Sequence, residues 1–158
     1  MNAIAIGADH GGVGLKETLA AHLRARGEQV IDVGTADTAS VDYPDFGRAV
    51  AERVSRGEAA RGLLLCTNGI GMSIVANKFP GVRAALVADV TTARMAREHN
   101  DANVLVLGGG MTGGFLAREL VDVFLATPFA GGRHQRRVDK IADIERELGL
   151  RSARGALR

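Results

Sequence analysis

The chain has 158 residues, of which 46% are hydrophobic and 24% are charged, and this is the composition of an ordinary globular protein. Its single cysteine excludes a scaffold of internal disulfides. Aromatic residues make up only 4% of the chain, so a surface that stacks the bases of single-stranded nucleic acid is not expected. The length predicts one domain, which we place at residues 1–148.

The net charge is +2, and the basic excess lies at the C-terminal end. Residues 131–158 hold eight Arg or Lys against four Asp or Glu, and we expect residues 149–158 to form a flexible basic tail. A solvated helix explains most of this segment, and a phosphate site is the sharper hypothesis. Nucleic-acid binding is the least favoured, because no aromatic residues interleave with the basic ones.

The sequence gives no sign of a membrane segment. No apolar run approaches the roughly 18–20 residues that span a bilayer. The first apolar stretch ends at Asp9, which is too early for the core of a signal peptide. We therefore expect a cytoplasmic protein that does not bind membranes.

Short apolar runs alternate with segments of helical period along the chain. Buried parallel strands are predicted at 4–6, 30–33, 63–65, 84–87 and 104–107. Helices are predicted around apolar residues at helical spacing: Leu15, Leu19 and Leu23; Phe46, Val50 and Val54; Leu116, Leu120 and Phe124; and Val138, Ile141 and Leu148. Asp42 is a candidate cap of the second helix, and Pro44 fits its first turn. The alternation predicts a three-layer α/β/α sandwich around a five-stranded parallel sheet, with a C-terminal helix.

Ligand sites in such sheets form at the carboxyl ends of the strands, which here are followed by 7–12, 34–44, 66–73, 88–92 and 108–114. The strongest feature is the run Leu-Leu-Leu-Cys-Thr-Asn-Gly-Ile-Gly-Met-Ser at 63–73. Cys66 is predicted where a buried strand turns into a helix, whose free N–H groups favour a thiolate and suit an oxyanion. Cysteine is also often an inert core residue. The position of Cys66 alone therefore gives a functional thiolate and an inert core residue equal weight.

Two histidine segments are further candidates. Asp9 and His10 follow the first strand, where His10 suits a phosphate or acid–base chemistry. The alternative is that Asp9 caps the following helix and that His10 is a surface residue. Without other evidence, this alternative is slightly favoured over a functional role. His99 and Asn100 are predicted at the end of a helix, where the dipole alone favours a histidine. We assign no role to His22.

Two more segments allow competing interpretations. Arg133, Arg136 and Arg137 suit bidentate phosphate contacts, and a solvated basic helix start is the alternative. Glycines 108, 110 and 113 fit the spacing of dinucleotide-binding turns, but they follow the fifth strand rather than the first. This weak match keeps a non-catalytic module that binds a nucleotide or a sugar phosphate as an alternative. No metal-ligand spacing is present, and we expect no metal and no cofactor.

Six segments occur in the order and spacing of one known family. They are Gly-Ala-Asp-His-Gly-Gly at 7–12, Asp-Val-Gly-Thr and Asp-Tyr-Pro at 32–35 and 42–44, Cys-x-x-Gly-Ile-Gly-Met-Ser-Ile-x-Ala-Asn-Lys at 66–78, Pro-Gly-Val-Arg-Ala-Ala-Leu at 80–86, Glu-His-Asn-Asp-Ala-Asn at 98–103 and Gly-Gly-Arg-His-Gln-Arg-Arg-Val at 131–138. Up to about residue 148, the chain resembles the ribose-5-phosphate isomerase B family, which includes galactose- and allose-6-phosphate isomerases.

The resemblance implies a Rossmann-like fold and a homodimer or tetramer whose active sites are shared between subunits. It also implies metal-free interconversion of an aldose phosphate and a ketose phosphate. Cys66 would move a proton between C2 and C1, and the amides of 68–73 would hold the enediolate. His99 would help to open the furanose ring, with Asp9 close to the sugar. The remaining residues that the resemblance places in catalysis or substrate binding are Asn68, His10, Tyr43, Thr67, Gly69, Gly71, Ser73, Asn100, Arg133 and Arg137.

The chain departs from many family members at two positions. Asn68 stands where threonine is common, and its amide both donates and accepts, so a ring-opening role beside His99 is kept. Gly110 stands where many ribose-phosphate isomerases have an arginine, and Arg136 is an additional cation nearby. We predict ribose 5-phosphate as the substrate, with a hexose 6-phosphate or a tetrulose phosphate as alternatives.

Overall fold

The computed structural model describes residues 3–150, and these contain one parallel sheet of five strands in the order β2-β1-β3-β5-β4. The strands are β1 (Ile4–Ala8), β2 (Val30–Asp32), β3 (Arg61–Cys66), β4 (Ala84–Leu86) and β5 (Val104–Gly108). The sequence places all five correctly, because each is an apolar run between glycines and charged residues. The predicted parallel sheet is confirmed.

Helices cover both faces of the sheet. They are α1 (Val13–Ala25), α2 (Tyr43–Arg56), α3 (Ile70–Ala76), α4 (Val90–Asn100), α5 (Gly114–Ala126) and α6 (Arg133–Glu147). Successive residues of a strand face opposite sides, so β3 contributes to two cores. Leu65 packs in the core of α1, α4 and α5 with Phe124, whereas Cys66 packs in the core of α2 and α3 with Val50 and Met72. The predicted three-layer sandwich is therefore confirmed.

The strand order sets the position of a crevice. The chain leaves β1 toward β2 on one side, whereas β3 lies on the other side of β1 and leads to β4 and β5. Loops that follow β1 and β3 therefore diverge at the carboxyl edge of the sheet. Such a switch point is where open parallel sheets bind ligands.

Local details differ from the predictions at three places. The strands β2 and β4 lie at the two edges and end one residue earlier than predicted, although the N–H groups of Val33 and Val87 still bond to the neighbouring strand at 2.9 and 3.2 Å. Asp42 occupies the N-cap position of α2, but its side chain makes no capping hydrogen bond, which corrects its proposed role. Pro44 lies in the first turn of α2 as predicted.

The C-terminal helix is the least covered element. Val138 is buried, but Ile141 and Leu148 are 41% and 70% exposed, so the predicted apolar face of α6 is largely open. The reason is that α6 packs on α4, outside the layers that flank the sheet. Residues 151–158, which make up most of the predicted tail, lie outside the described residues. In the described part, no helix is long and apolar enough to cross a bilayer.

Candidate active site

Glycines bring three loops together at the carboxyl edge of the sheet. A Cβ added at Gly12 would lie 2.8 Å from the carbonyl carbon of Leu65, and one at Gly11 would overlap Oγ1 of Thr67. A Cβ added at Gly109 would lie 2.8 Å from Cα of Gly12. The loops after β1, β3 and β5 therefore approach to backbone contact, which only glycine permits.

Cys66 lies at the centre of this junction. It is the last residue of β3 and is 6% exposed. Its Sγ accepts the N–H of Gly69 at 3.1 Å, and its carbonyl oxygen accepts the N–H of Gly109 at 2.6 Å. The Gly69 N–H thus places a hydrogen-bond donor at the sulfur. The residue is thus both packed and directed into a polar turn.

The turn after Cys66 is stabilised by Asn68. Its Oδ1 accepts the N–H of Ile70, the first residue of α3, at 3.0 Å. This leaves the Nδ2 group as the part of the side chain that can meet a ligand. Thr67 is exposed, and its carbonyl oxygen accepts the N–H of Gly110 at 3.0 Å. Ser73 donates its hydroxyl to the carbonyl of Ile70 at 2.8 Å, so this hydroxyl is used within α3.

Asp9 and His10 lie in the loop that contacts this turn. Asp9 is 5% exposed, and its Oδ1 accepts the N–H of Gly11 at 2.9 Å. Because Gly12 is the N-cap of α1, the interpretation of Asp9 as a helix cap is wrong. Nδ1 of His10 accepts the N–H of Val41 at 3.2 Å, so a neutral His10 carries its proton on Nε2. That N–H is a hydrogen-bond donor.

Tyr43 forms the side of the crevice near α3. It begins α2 and is 39% exposed. A Cβ added at Gly71 would lie 2.6 Å from Cε2 and Cζ of Tyr43, so the ring rests on the first turn of α3. Gly71 is therefore required for this contact, and the phenol is held beside the Cys66 turn.

The predicted residues His99, Asn100, Arg133 and Arg137 lie at the other end of the strands, opposite the carboxyl end at which Cys66 lies. The helix α4 runs back from the end of β4, and Asn100 in its last turn accepts the Nε–H of Arg83 at 2.9 Å through its carbonyl oxygen. Arg83 directly precedes β4, whereas Cys66 is the register partner of Gly108 at the end of β5. Ala84, the first residue of β4, is the register partner of Val104, and Gly108 lies four residues further along β5. Four strand steps of about 3.3 Å put the two ends of the sheet about 13 Å apart. One copy of the chain therefore does not bring His99 and Asn100 close to Cys66.

A basic cluster forms at this second edge. Its members are the half-buried His99, the buried His134 and the exposed Arg133 and Arg137. The rings of His99 and His134 stack with centroids 4.3 Å apart and an interplanar angle of 4°. Loss of hydration on burial is the main cause that lowers the pKa of His134. The positive charges of His99, Arg133 and Arg137 lower this pKa further, whereas Glu98 raises it.

His134 and Gly109 are the two site residues that the sequence analysis did not identify. His134 lies among the arginines of the segment 131–138, and its contact with His99 depends on the packing of α6 on α4. Gly109 lies within the glycine-rich segment after β5. Its N–H and that of Gly110 donate to the carbonyl groups of Cys66 and Thr67, so these amides hold the loops together rather than facing a phosphate.

The side chains also bear on metal binding. Among residues 3–150, no three His, Cys, Asp or Glu side chains come together in a way that could hold a metal ion.

Comparisons with known proteins identify the family. Residues 4–141 match the family described as Ribose/Galactose Isomerase. The solved structure of ribose-5-phosphate isomerase B from Clostridium thermocellum is 53% identical, has a TM-score of 0.91 and covers 92% of this chain and 99% of that one. Ribose-5-phosphate isomerase B of Escherichia coli (strain K12) is 46% identical over 145 residues, which are 92% of this chain and 97% of that protein.

A further relative was solved with a bound sugar phosphate. Ribose-5-phosphate isomerase B from Mycoplasma genitalium, with bound ribulose-5-phosphate, is 42% identical, has a TM-score of 0.89 and covers 92% of this chain and 97% of that chain. The family match covers most of the chain, and the fold agrees with the solved relatives over nearly their full length. The chain therefore belongs to the Ribose/Galactose Isomerase family, and it is a sugar-phosphate isomerase, an intramolecular oxidoreductase of the ribose-5-phosphate isomerase B type.

Proposed function

We propose that the chain interconverts ribose 5-phosphate and ribulose 5-phosphate through an enediolate, without a metal or cofactor. The observation that carries this proposal is the position of Cys66, whose sulfur accepts an N–H at the junction of three loops. The relative solved with ribulose-5-phosphate supports the choice of substrate. The single cysteine, which needs no oxidising compartment, also supports a cytoplasmic location.

The proton transfer uses the thiolate as a base. Cys66 removes the proton from C2 of the open-chain aldose, and the C–H electron pair forms the C1–C2 double bond of the enediolate while the carbonyl oxygen takes up the charge. The proton is then delivered to C1, and the C2 oxygen becomes the carbonyl of the ketose as the hydroxyl proton moves to O1. A base next to the acidic C–H and donors to the developing oxyanion are the two needs of this chemistry.

The turn that follows Cys66 supplies the donors. The N–H groups of Gly69 and Ile70 bond to Cys66 and Asn68, whereas the first turn of α3 leaves those of Gly71 and Met72 without partners inside the helix. We assign the enediolate to this turn, with Asn68 Nδ2 and the Thr67 hydroxyl beside it. Tyr43, which rests on Gly71, borders the sugar from the side of α2.

The phosphate and the furanose ring involve both edges of the sheet. His10 offers Nε2–H at the carboxyl edge, while Arg133 and Arg137 are exposed cations at the other edge. Arginine pairs bind phosphate strongly, and the binding energy of a phosphate orients the sugar. We assign ring opening to His99, with Asp9 and Asn100 near the sugar.

These assignments require a second copy of the chain. Cys66 and His99 lie at opposite edges of one sheet, so a complete site needs the Cys66 edge of one copy and the His99 edge of another. The open apolar face of α6 supports this, since a cavity of about 430 Å³ lies between β4 and the exposed Ile144 and Leu148. We propose a homodimer, or a tetramer made of two such dimers, with each site shared between two subunits.

Another sugar phosphate is the alternative substrate. The family description names galactose as well as ribose. Gly110 adds no side chain where an arginine is common, and a Cβ there would meet the carbonyl oxygen of Thr67 at 3.2 Å. Asn68 and Gly110 are therefore the first positions to examine if a hexose 6-phosphate or a tetrulose phosphate reacts faster.

A nucleotide-binding module is the alternative from a different class. The amides of Gly109 and Gly110 are used in bonds to the Cys66 turn, and this argues against a dinucleotide at that loop. Calorimetry with NAD, NADP, FMN and ATP tests this alternative, and binding of one of them without isomerase activity would favour it.

The proposed reaction is tested by following ribulose 5-phosphate formation in the presence of EDTA. Cys66→Ala is expected to lower kcat by about a hundredfold to ten-thousandfold, which is the usual contribution of a general base. Gln135→Ala, on the exposed side of α6, is a control that should keep wild-type activity. Loss of wild-type activity with EDTA, or full activity of Cys66→Ala, would refute the mechanism. Faster turnover of another sugar phosphate would change the proposed substrate and leave the proposed mechanism in place.

A further inference from the structure

The stacked pair of His99 and His134 contains a histidine that the proposed reaction does not use. The two rings are nearly parallel, with an interplanar angle of 4°, and their centroids are 4.3 Å apart. Close ring pairs of this kind contribute orientation as well as apolar contact. One face of the His99 ring is therefore covered by His134.

The structure fixes His134 more firmly than His99. His134 is 8% exposed and lies in the first turn of α6, with its N–H bonded to the carbonyl of Gly131 at 3.0 Å. The far end of α6 is held by Glu145, whose two carboxylate oxygens accept the N–H of Gly81 at 3.0 and 2.9 Å. His99 is half-buried in the last turn of α4.

The approach to α6 is also tied to α4. The N–H of Ala130 donates to the carbonyl of Glu98, the residue before His99, at 3.0 Å. The two rings therefore meet through a backbone connection and not through flexible side chains alone. A change at His134 can reach His99 without changing the arginines beside it.

The charges around the pair favour a neutral His134. Arg133 and Arg137 extend from its own helix, His99 and Glu98 face it from α4, and the three basic groups outweigh the single carboxylate. These groups and the loss of hydration lower the pKa of His134. A neutral ring can stack on His99 without adding repulsion to a site that handles a phosphate.

We infer that His134 is a positioning residue whose stacked ring holds the His99 imidazole in the orientation needed at the sugar. This inference rests on the proposed isomerase reaction and on His99 acting in it. It assigns His134 no contact with the substrate and no proton transfer. The flat ring is the required feature, so phenylalanine should replace it and alanine should not.

Steady-state kinetics with ribose 5-phosphate test the inference on His134→Ala, His134→Phe and the control Gln135→Ala, all in the full chain. His134→Ala should lower kcat by about tenfold to a hundredfold, because a small misplacement of a catalytic group has effects of this size. KM should stay near the wild-type value, since Arg133 and Arg137 remain. His134→Phe should keep most of the wild-type kcat.

Three kinetic results would overturn the inference. They are a wild-type kcat for His134→Ala, a kcat for His134→Phe as low as that for His134→Ala, and a rise in KM at unchanged kcat, which would place His134 in substrate binding. Melting temperatures of all variants are measured first. If His134→Ala does not fold, a loss of activity in His134→Phe would still overturn the inference, because that variant keeps the flat ring and lacks only the imidazole nitrogens.

A spectroscopic readout separates this inference from the reaction itself. Stacking shifts the ring-proton resonances of His99, which His99→Asn identifies by their disappearance from the NMR spectrum. The shift should persist in His134→Phe and vanish in His134→Ala, and an unchanged spectrum in His134→Ala would show that the stack is absent. A wild-type protein that isomerises no sugar phosphate would refute the proposed function and the positioning role with it. Wild-type turnover without an effect of His134 would refute the positioning role alone.

Discussion

The backbone N–H of Gly69 donates to Sγ of Cys66 at 3.1 Å, where β3 turns toward α3. Gly69 reaches this position with a φ of 79°, a left-handed conformation that glycine adopts without strain. A Cβ added at Gly69 would lie 2.5 Å from Cδ1 of Leu86 and 3.2 Å from the carbonyl oxygen of Leu107. The environment of the thiol and the shape of the turn are therefore set by one residue.

This relationship predicts the effect of Gly69→Ala. Alanine is strained at positive φ, so the free energy of unfolding should fall by about 1–2 kcal/mol, and contact with Leu86 should add to this. Displacement of the N–H should also lower kcat. Gly14→Ala is the matched control, because Gly14 lies inside α1 and a Cβ added there would meet nothing within 4 Å, so it should not destabilise the protein. Equal urea midpoints for the two variants would contradict the account.

The thiol of Cys66 should react unusually fast for a cysteine that is only 6% exposed. We expect iodoacetamide to modify it faster than glutathione at neutral pH, because the proposed catalytic base reacts as a nucleophile. Mass spectrometry follows one site without ambiguity, since the chain has one cysteine. Ribose 5-phosphate should slow the reaction. Slow labelling that substrate does not affect would argue against a reactive base.

The lowered pKa of His134 predicts a loss of stability in acid. As the pH falls through about 6.5, the unfolded histidine takes up a proton before the native one, which favours unfolding. His134→Phe removes this contribution, so the difference in melting temperature between wild type and variant should shift in favour of the variant between about pH 7.5 and pH 5. If the melting temperatures of wild type and His134→Phe change in parallel over this pH interval, the pKa of His134 is not lowered.

A site shared between two subunits predicts complementation. Cys66→Ala and His99→Asn should each be nearly inactive, but a refolded equal mixture should recover about a quarter of wild-type activity, because half of the dimers are mixed and each keeps one intact site. The control mixture of Cys66→Ala with itself should recover nothing. No recovery in mixed dimers, verified by two affinity tags, would mean that one subunit supplies both residues.

Much of the fold could be predicted from local sequence patterns. The apolar run before Cys66 marks β3, and the glycines that follow permit the turn, so the place of the thiol at a strand end was predictable. The predicted strands β2 and β4 extend one residue too far, to Val33 and Val87. A β-branched residue such as valine suits the last position of a strand and the position after it equally well.

Other features depend on contacts that no local pattern encodes. The stack of His99 on His134 joins two helices through the packing of α6 on α4, and nothing in either segment reports it. The carboxylate of Asp9 bonds to Gly11 instead of capping α1, since the Gly-Gly pair delays the start of the helix to Val13. The exposed apolar face of α6 looks like a core-facing face in the sequence, because its exposure depends on the packing of α6 on α4, which no local pattern encodes.

The fate of the C2 hydrogen tests the central claim most directly. The wild-type protein is incubated with ribose 5-phosphate in D₂O, with Cys66→Ala alongside, and NMR measures deuterium at C1 of any ribulose 5-phosphate formed. A proton moved by the Cys66 thiolate through an enediolate exchanges with solvent, so the account predicts deuterium at C1 in the wild-type product. The Cys66→Ala variant should form product about a hundredfold to ten-thousandfold more slowly. Complete retention of the original hydrogen at C1, or deuterated product formed equally well by Cys66→Ala, would contradict it.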